Sequence, residues 1–274
     1  MSDAARVAGA VRSLWSLLGP PGDVDAPTHG GLPYAAAAGR RGRPPLADVY
    51  LPDAAGPHAG ILWVHGGGFT VGSRAMKPMR LLATACRRAG LVAVTFDYRL
   101  LFRGGDVERG VEDTRAAWTW LTASADRFGL DPARLALGGL SAGGCLALLA
   151  TPSLSPAPHK VASVFTLYDF ERLSGGLGGL LARLAAGPDP TRRRALSPAR
   201  APADAIPCPL LVQHGTADTL IPLRDAESYT AARRDRGHPT TYCAYDGAPH
   251  AFYNAPDSDT ARRATSDLLA FLTG

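Results

Sequence analysis

Lysine is almost missing from this chain: Lys77 and Lys160 are the only two, although Lys and Arg together number 29. Arginine therefore carries the positive charge, and the formal net charge is only +5. The one basic cluster, Arg192-Arg193-Arg194, has no interleaved aromatic residue, so it reads as a solvated loop and argues against a nucleic-acid partner. Cysteine is scarce as well. Cys86, Cys145, Cys208 and Cys243 are scattered, with no C-x-x-C pair and no histidine at metal-ligand spacing. That excludes a disulfide framework and a zinc module, and points to reduced thiols and a cytoplasmic location. No run of 18 apolar residues exists, so no membrane span is expected. The start, Met1-Ser2-Asp3-Ala4-Ala5-Arg6, lacks the basic region and apolar stretch of a secretory leader.

What the chain does have is apolar mass, 46% of 274 residues, enough for one large core. Short β-type runs alternate with helical stretches. The strands expected are Ala47–Leu51, Ile61–His65, Leu91–Phe96, Arg134–Gly138, Val161–Leu167, Pro209–His214 and Thr240–Tyr245. Helices are expected near 75–89, 107–124, 142–151, 223–236 and 258–272. The central runs are almost continuously apolar, as parallel strands covered on both faces should be, while the leading strand and the residues before it suit an antiparallel edge. The pattern predicts one α/β domain over residues 1–274: a mostly parallel sheet with helices on both faces. Residues 1–45 form its lead-in, where Val7, Val11, Leu14, Trp15 and Leu18 predict an amphipathic helix over 4–18. That helix lies on the body of the protein, or alternatively on a membrane surface. Residues 169–207, glycine-rich and then rich in proline and arginine, are too long for a simple crossover. They are a candidate lid, with Leu177, Leu180, Leu181 and Leu184 as its ceiling; a plain surface excursion is the other reading.

Three signals carry chemistry. Gly139-Leu140-Ser141-Ala142-Gly143 follows a strand and opens an apolar helix. A sharp strand-to-helix turn lifts a serine clear of the sheet, and small neighbours let other chains pack close to it, which is the context a G-x-S-x-G nucleophile needs. His65-Gly66-Gly67-Gly68-Phe69 follows another apolar strand. Three glycines in a row are costly to order but bring backbone N–H groups close to a substrate oxyanion. His65 itself reads as a residue that shapes this loop, not as the base. Finally, Asp218 and His250 each follow the end of an expected strand, on the rim where open α/β sheets place their sites, in the chain order Ser141…Asp218…His250. Asp169 is the rival acid because it follows the strand Val161–Leu167; Asp246 is too near His250 in sequence to reach its ring.

With these residues the chain resembles the α/β-hydrolase superfamily, and within it the HGGG-type esterases, both the hormone-sensitive-lipase-like and the feruloyl-esterase-like groups. The matching segments are His65–Phe69, Asp97-Tyr98-Arg99, Gly139–Gly144, His214–Asp218 with Ile221-Pro222, and Pro249–Phe252. The resemblance implies Ser141 as nucleophile, His250 as base, Asp218 as orienting acid, and an oxyanion hole from the N–H groups of Gly67, Gly68 and Ala142. It also implies that Asp97 and Arg99 form an ion pair or turn beside the site. Leu140 departs from the acidic residue that hormone-sensitive-lipase-like enzymes carry before the serine. The expected activity is hydrolysis of small carboxylic esters through an acyl-enzyme, with no metal or organic cofactor. An amidase, formamidase or acyltransferase using the same residues, and a non-catalytic binding module, are the alternatives. Phe69 and Phe252 are candidate substrate-binding walls, with core packing as the plain alternative for each.

Overall fold

The computed structural model describes residues 22–36, 44–173 and 176–274. The helix expected over 4–18 lies outside them. Eight strands form one sheet in the order β1-β2-β4-β3-β5-β6-β7-β8. They are β1 (His29–Pro33), β2 (Leu46–Tyr50), β3 (His58–Val64), β4 (Val92–Phe96), β5 (Leu130–Leu140), β6 (Lys160–Val164), β7 (Leu210–Gly215) and β8 (Thr240–Tyr245). From β3 onward every pairing is parallel, whereas β1 and β2 are antiparallel additions at one edge. Each expected strand is present within a few residues, and so is each helix expected from residue 75 onward. The helices are α1 (Lys77–Arg88), α2 (Val107–Ala123), α3 (Ala142–Ala150), α4 (Gly176–Ala186), α5 (Pro190–Ala195), α6 (Leu223–Arg234) and α7 (Asp259–Thr273).

Strand β1 escaped the sequence reading because Gly30, Gly31 and Pro33 argue against a strand interior. It survives as an edge with an irregular register between His29 and Leu32. Gly31 there takes φ +67°, and its N–H donates to the Asp48 carboxylate at 2.7 Å.

The core has two sides. On one, Leu62, Val64, Val92, Val94, Leu135 and Leu137 pack against α2 and α3, with Trp118 and Leu146 prominent. On the other, Ile61, Trp63, Ala93, Ala136 and Leu211 pack against α1 and α7 through Met79, Leu82, Ala264 and Leu268. Alternate residues of β3 thus serve opposite faces, the two-residue period of a strand. Helix α3 is apolar almost all round and nearly every residue in it is buried, as a helix seated in the centre of the fold must be.

The insertion between β6 and β7 is more ordered than its composition suggests. It holds α4, α5 and two short 3-10 turns. Ala182, Ala185 and Ala186 face the body and are buried, so α4 approaches it through small side chains. Leu180 and Leu184 are 53% and 45% exposed, so these two do not roof a pocket, contrary to expectation. Helical spacing explains it: residues 182, 185 and 186 occupy the inward stripe, and 180 and 184 lie one above the other outside it. The Arg192–Arg194 run is not a free loop either. It forms the middle of α5, where Arg192 pairs with Asp106 and Glu108 at the start of α2, and Arg194 pairs with Glu171.

Close packing under the centre of the sheet sets a stability test. A Cβ added to Gly138 would lie 2.4 Å from Cζ3 of the fully buried Trp63. Gly138→Ala should lower the unfolding free energy by about 1–3 kcal/mol. Urea titration followed by tryptophan fluorescence should show a lower midpoint with an unchanged slope; an unchanged midpoint would refute this packing account.

Candidate active site

The carboxyl ends of β3, β5, β6, β7 and β8 converge on one rim. Ser141 stands between β5 and α3 at φ 53°, ψ −116°, a conformation non-glycine residues seldom adopt. Its N–H donates to the Val164 carbonyl at the end of β6 (2.9 Å), and its carbonyl accepts from Cys145 in α3 (3.2 Å). The neighbouring glycines are required by contact. A Cβ on Gly139 would lie 2.3 Å from the Gly143 carbonyl oxygen, and one on Gly143 would lie 2.2 Å from that of Val64.

The loops after β7 and β8 are laced together by backbone. Thr216 N–H donates to the Tyr245 carbonyl (2.9 Å) and Ala217 N–H to the Ala248 carbonyl (3.0 Å). Thr216 Oγ1 accepts from Gly247 N–H (2.8 Å). Gly215 has to be small here, because a Cβ would lie 2.3 Å from the Ala248 carbonyl oxygen. This lacing carries Asp218 to His250. Asp218 Oδ2 lies 2.7 Å from His250 Nδ1, and His250 Nε2 lies 3.0 Å from Ser141 Oγ. Asp218 Oδ1 accepts from the N–H groups of Leu220 and Ile221, both at 2.9 Å. Burial pushes the Asp218 carboxyl up. The His250 ring with its hydrogen bond, His214 and the Ile221 amide together outweigh burial and hold it below the usual carboxylate range.

The two other candidate acids are engaged elsewhere. Asp169 is buried and holds the insertion in place: it pairs with Arg200 at 2.9 Å and accepts from the Glu171 N–H. Asp246 accepts from the Thr216 hydroxyl at 3.2 Å.

The glycine loop after β3 takes φ 114° at Gly67, 58° at Gly68 and 63° at Phe69. The N–H groups of Thr70 and Val71 both fold back onto the Gly67 carbonyl at 3.1 Å. Gly67 is forced by space as well as by φ, since a Cβ would meet the Val71 carbonyl oxygen at 2.0 Å. Above Gly68 the nearest side chain from the insertion is Leu181, with Cδ1 4.0 Å from where a Cβ would stand. Ala142, third of the expected oxyanion residues, is buried at the first position of α3.

His65 is buried beneath this loop. Its Nδ1 lies 2.8 Å from the Gly66 carbonyl and so carries the proton, and its ring stacks on Tyr98 at 4.2 Å. Burial pushes the imidazole down to about 4, which keeps it neutral near pH 7. Asp97 and Arg99 do not pair with each other. Asp97 binds the Arg74 guanidinium and backbone, and Arg74 also reaches Asp48. Arg99 instead clamps Asp113 and Glu112 of α2.

Phe69 is buried with its ring 5.9 Å from that of Phe170 at the root of the insertion. Phe252 is buried edge-on to Phe165 at 5.0 Å. Phe165 is a site residue the sequence reading missed. It follows β6 at φ 36°, and its ring meets the His250 ring at 5.0 Å. His214 is another, lying 3.3 Å from Asp218 Oδ2. Position was the available signal, since both residues sit at the carboxyl ends of strands. Among the described residues no three His, Cys, Asp or Glu side chains converge to hold a metal ion. No helix among them is long and apolar enough to cross a membrane.

A parallel sheet flanked by helices, with a serine on the elbow after β5 and a histidine and an aspartate from the loops after β8 and β7, defines a hydrolase-type fold and rim. The chain belongs to the family described as having the alpha/beta hydrolase fold, whose model matches residues 61–254. An ethyl acetate hydrolase of Pseudomonas putida is 35% identical over 132 residues, which is 46% of this chain and 39% of that protein. Esterase LipC of Mycobacterium tuberculosis is 27% identical over 214 residues, 70% of this chain and 52% of that protein. The matches span between about a fifth and a half of the length of three curated relatives, and 69% of a fourth, esterase LipQ of Mycobacterium tuberculosis, which is 28% identical over the whole of this chain. An esterase structure from Pyrobaculum calidifontis superposes with a TM-score of 0.77 at 24% identity, covering 99% of this chain and 92% of that one; at this identity it shows the shared fold.

The depressed Asp218 carboxyl has a consequence for stability. Its folded value lies below its unfolded value, so its contribution is full above the unfolded value of about 3.9 and is lost as pH falls through the lower folded value. Asp218→Asn removes that linkage. Between about pH 5 and pH 2 the wild-type Tm should therefore fall more steeply than that of the variant. Parallel Tm curves in differential scanning calorimetry would contradict the charge-stabilised carboxylate.

Proposed function

We propose that this protein is a serine hydrolase of small carboxylic esters, with Ser141 as nucleophile, His250 as general base and Asp218 as the acid that orients it. One observation carries the reading: the hydrogen-bonded line Asp218 Oδ2, His250 Nδ1, His250 Nε2, Ser141 Oγ, at 2.7 and 3.0 Å. A hydroxyl is a weak nucleophile until a base takes its proton, and the base works only with its lone pair facing the hydroxyl. A proton on His250 Nδ1, donated to Asp218, leaves Nε2 as that lone pair. Ser141 Oγ then attacks the carbonyl carbon and its proton passes to His250 Nε2, where the Asp218 charge stabilises the imidazolium. Collapse of the tetrahedral adduct hands this proton to the leaving alcohol. Water repeats the sequence on the acyl-enzyme and frees Ser141. The N–H groups of Gly67, Gly68 and Ala142 are our candidates to hold the oxyanion; such donors act where charge develops.

Ester cleavage is favoured over the amide and acyl-transfer alternatives by the relatives, among them an ethyl acetate hydrolase and an esterase. A small acyl group suits the site as well. Leu181 alone of the described insertion leucines stands over Gly68, while Leu180 and Leu184 face outward. We assign residues 169–207 the role of a lid, with Phe69 and Phe165 as walls and Phe252 backing Phe165.

Ser141→Ala should lower kcat by about 10⁴-fold or more and abolish labelling by a fluorophosphonate probe, with the fold intact by circular dichroism. Retention of more than a few per cent of activity would show that another group attacks. Across p-nitrophenyl esters, each CH₂ buried should add about 0.8 kcal/mol until the pocket is full. kcat/KM should therefore peak between acetate and hexanoate and decline beyond. Rates still climbing at dodecanoate, or a jump on triglyceride emulsions, would rule out the small pocket.

A further inference from the structure

Given the triad proposed above, we infer that His214 is a positioning residue for Asp218, its Nε2–H fixed on the Ile221 carbonyl and set beside the Asp218 carboxylate so that its positive end holds Oδ2 aimed at His250. His214 is the fifth residue of β7 and completely buried. Its Nε2 lies 3.0 Å from the Ile221 carbonyl oxygen and 3.3 Å from Asp218 Oδ2. A carbonyl oxygen only accepts, so the proton is on Nε2. The Asp218 carboxylate then has N–H groups around both oxygens: Leu220 and Ile221 donate to Oδ1, His250 to Oδ2, and the His214 Nε2–H, bonded to the Ile221 carbonyl, stands 3.3 Å from Oδ2. This set fixes the carboxylate plane as well as its place.

The other nitrogen of the ring makes the case stronger. Nδ1 is buried and has no hydrogen-bond partner among the described residues. An orphaned buried polar atom costs free energy, and a leucine or phenylalanine would fill the space without that cost. Packing alone therefore does not call for an imidazole here; the donor on Nε2 does. The charged groups that face the ring are Asp218, His250 and Asp225, and Asp225 is itself paired with Arg172. Burial pushes the His214 imidazole below its ordinary value despite the Asp218 charge. A neutral ring sets a polar N–H beside Asp218 without cancelling its charge, which stays available to the imidazolium of His250. Protonation at His214 would put a second cation beside that imidazolium and weaken the base.

Two substitutions separate positioning from packing. His214→Phe keeps the ring volume and has no donor. His214→Gln carries an amide N–H close to where Nε2 stands. On p-nitrophenyl acetate, with Ser141→Ala as the inactive control, His214→Phe should lower kcat about tenfold with KM within about twofold. The acid limb of its kcat/KM profile should move to higher pH by about half a unit, because a carboxylate with one polar N–H fewer beside it grips the His250 imidazolium harder. His214→Gln should recover most of kcat and the wild-type acid limb. If His214→Phe does not fold, His214→Asn, polar but too short to reach Asp218, gives the same contrast with Gln. Wild-type kcat and acid limb in His214→Phe would overturn the inference. So would Phe and Gln variants equally slow with an unshifted limb, the mark of packing alone. A wild type that turns over no ester, or a Ser141→Ala variant at full rate, would instead sink the serine-hydrolase reading and the role of His214 with it.

Discussion

A serine held at φ 53° needs a scaffold that denies it any relaxed alternative, and the centre of this fold is built around that need. Such a conformation costs on the order of 1–3 kcal/mol and persists only where its surroundings over-determine it. Here they do. The Ser141 amide is tied to β6 through Val164, its carbonyl to α3 through Cys145, and the turn is pressed against β3 through Gly143. The missing side chains at Gly139 and Gly143 let three backbone segments come within contact of one another. The order of strands around β5 follows from this, since only a strand flanked on both sides, by β3 and β6, has neighbours to brace both sides of its final turn.

Electrostatics at the site depend on the same dense backbone. Asp218 is buried yet held below the usual carboxylate range, because amides and imidazoles surround it on both oxygens. The loops that present it and His250 are bound to one another by main-chain hydrogen bonds, so their separation is fixed before any side chain is placed. His65 plays the opposite part. Its burial leaves it neutral and stacked on Tyr98, a structural wedge beneath the glycine loop. Three histidines near one rim thus have three states of contact, decided by what each ring nitrogen meets.

The insertion is governed by weaker forces. It meets the body through alanines on α4 and through arginine pairs, Arg172 to the buried Asp225 and Arg192 to Asp106 and Glu108, while Arg200 and Asp169 pair within the insertion itself. The Arg192 pairs are partly exposed, and pairs of this kind contribute about 0–1 kcal/mol each, less in salt.

Much of this was legible in the residues themselves. Strand and helix periods, the glycines around Ser141 and the glycine run after His65 are local features. They reflect sterics over a few neighbouring residues, and sterics over that range do not depend on the rest of the chain. The alternation of elements likewise determines a mostly parallel sheet, and parallel strands put all their following loops, with Asp218 and His250, on one rim. What the sequence did not determine is contact across long separations. Ser141 and His250 meet across 109 residues, and the partners of Asp97, Arg99 and Asp169 are set by which surfaces face them. The outward turn of Leu180 and Leu184, the edge strand at His29–Pro33, and the approach of His214 and Phe165 to the site belong to the same group. Each is decided by packing and by the need to pair buried polar groups, which depend on what the fold brings alongside and not on the residues next in line.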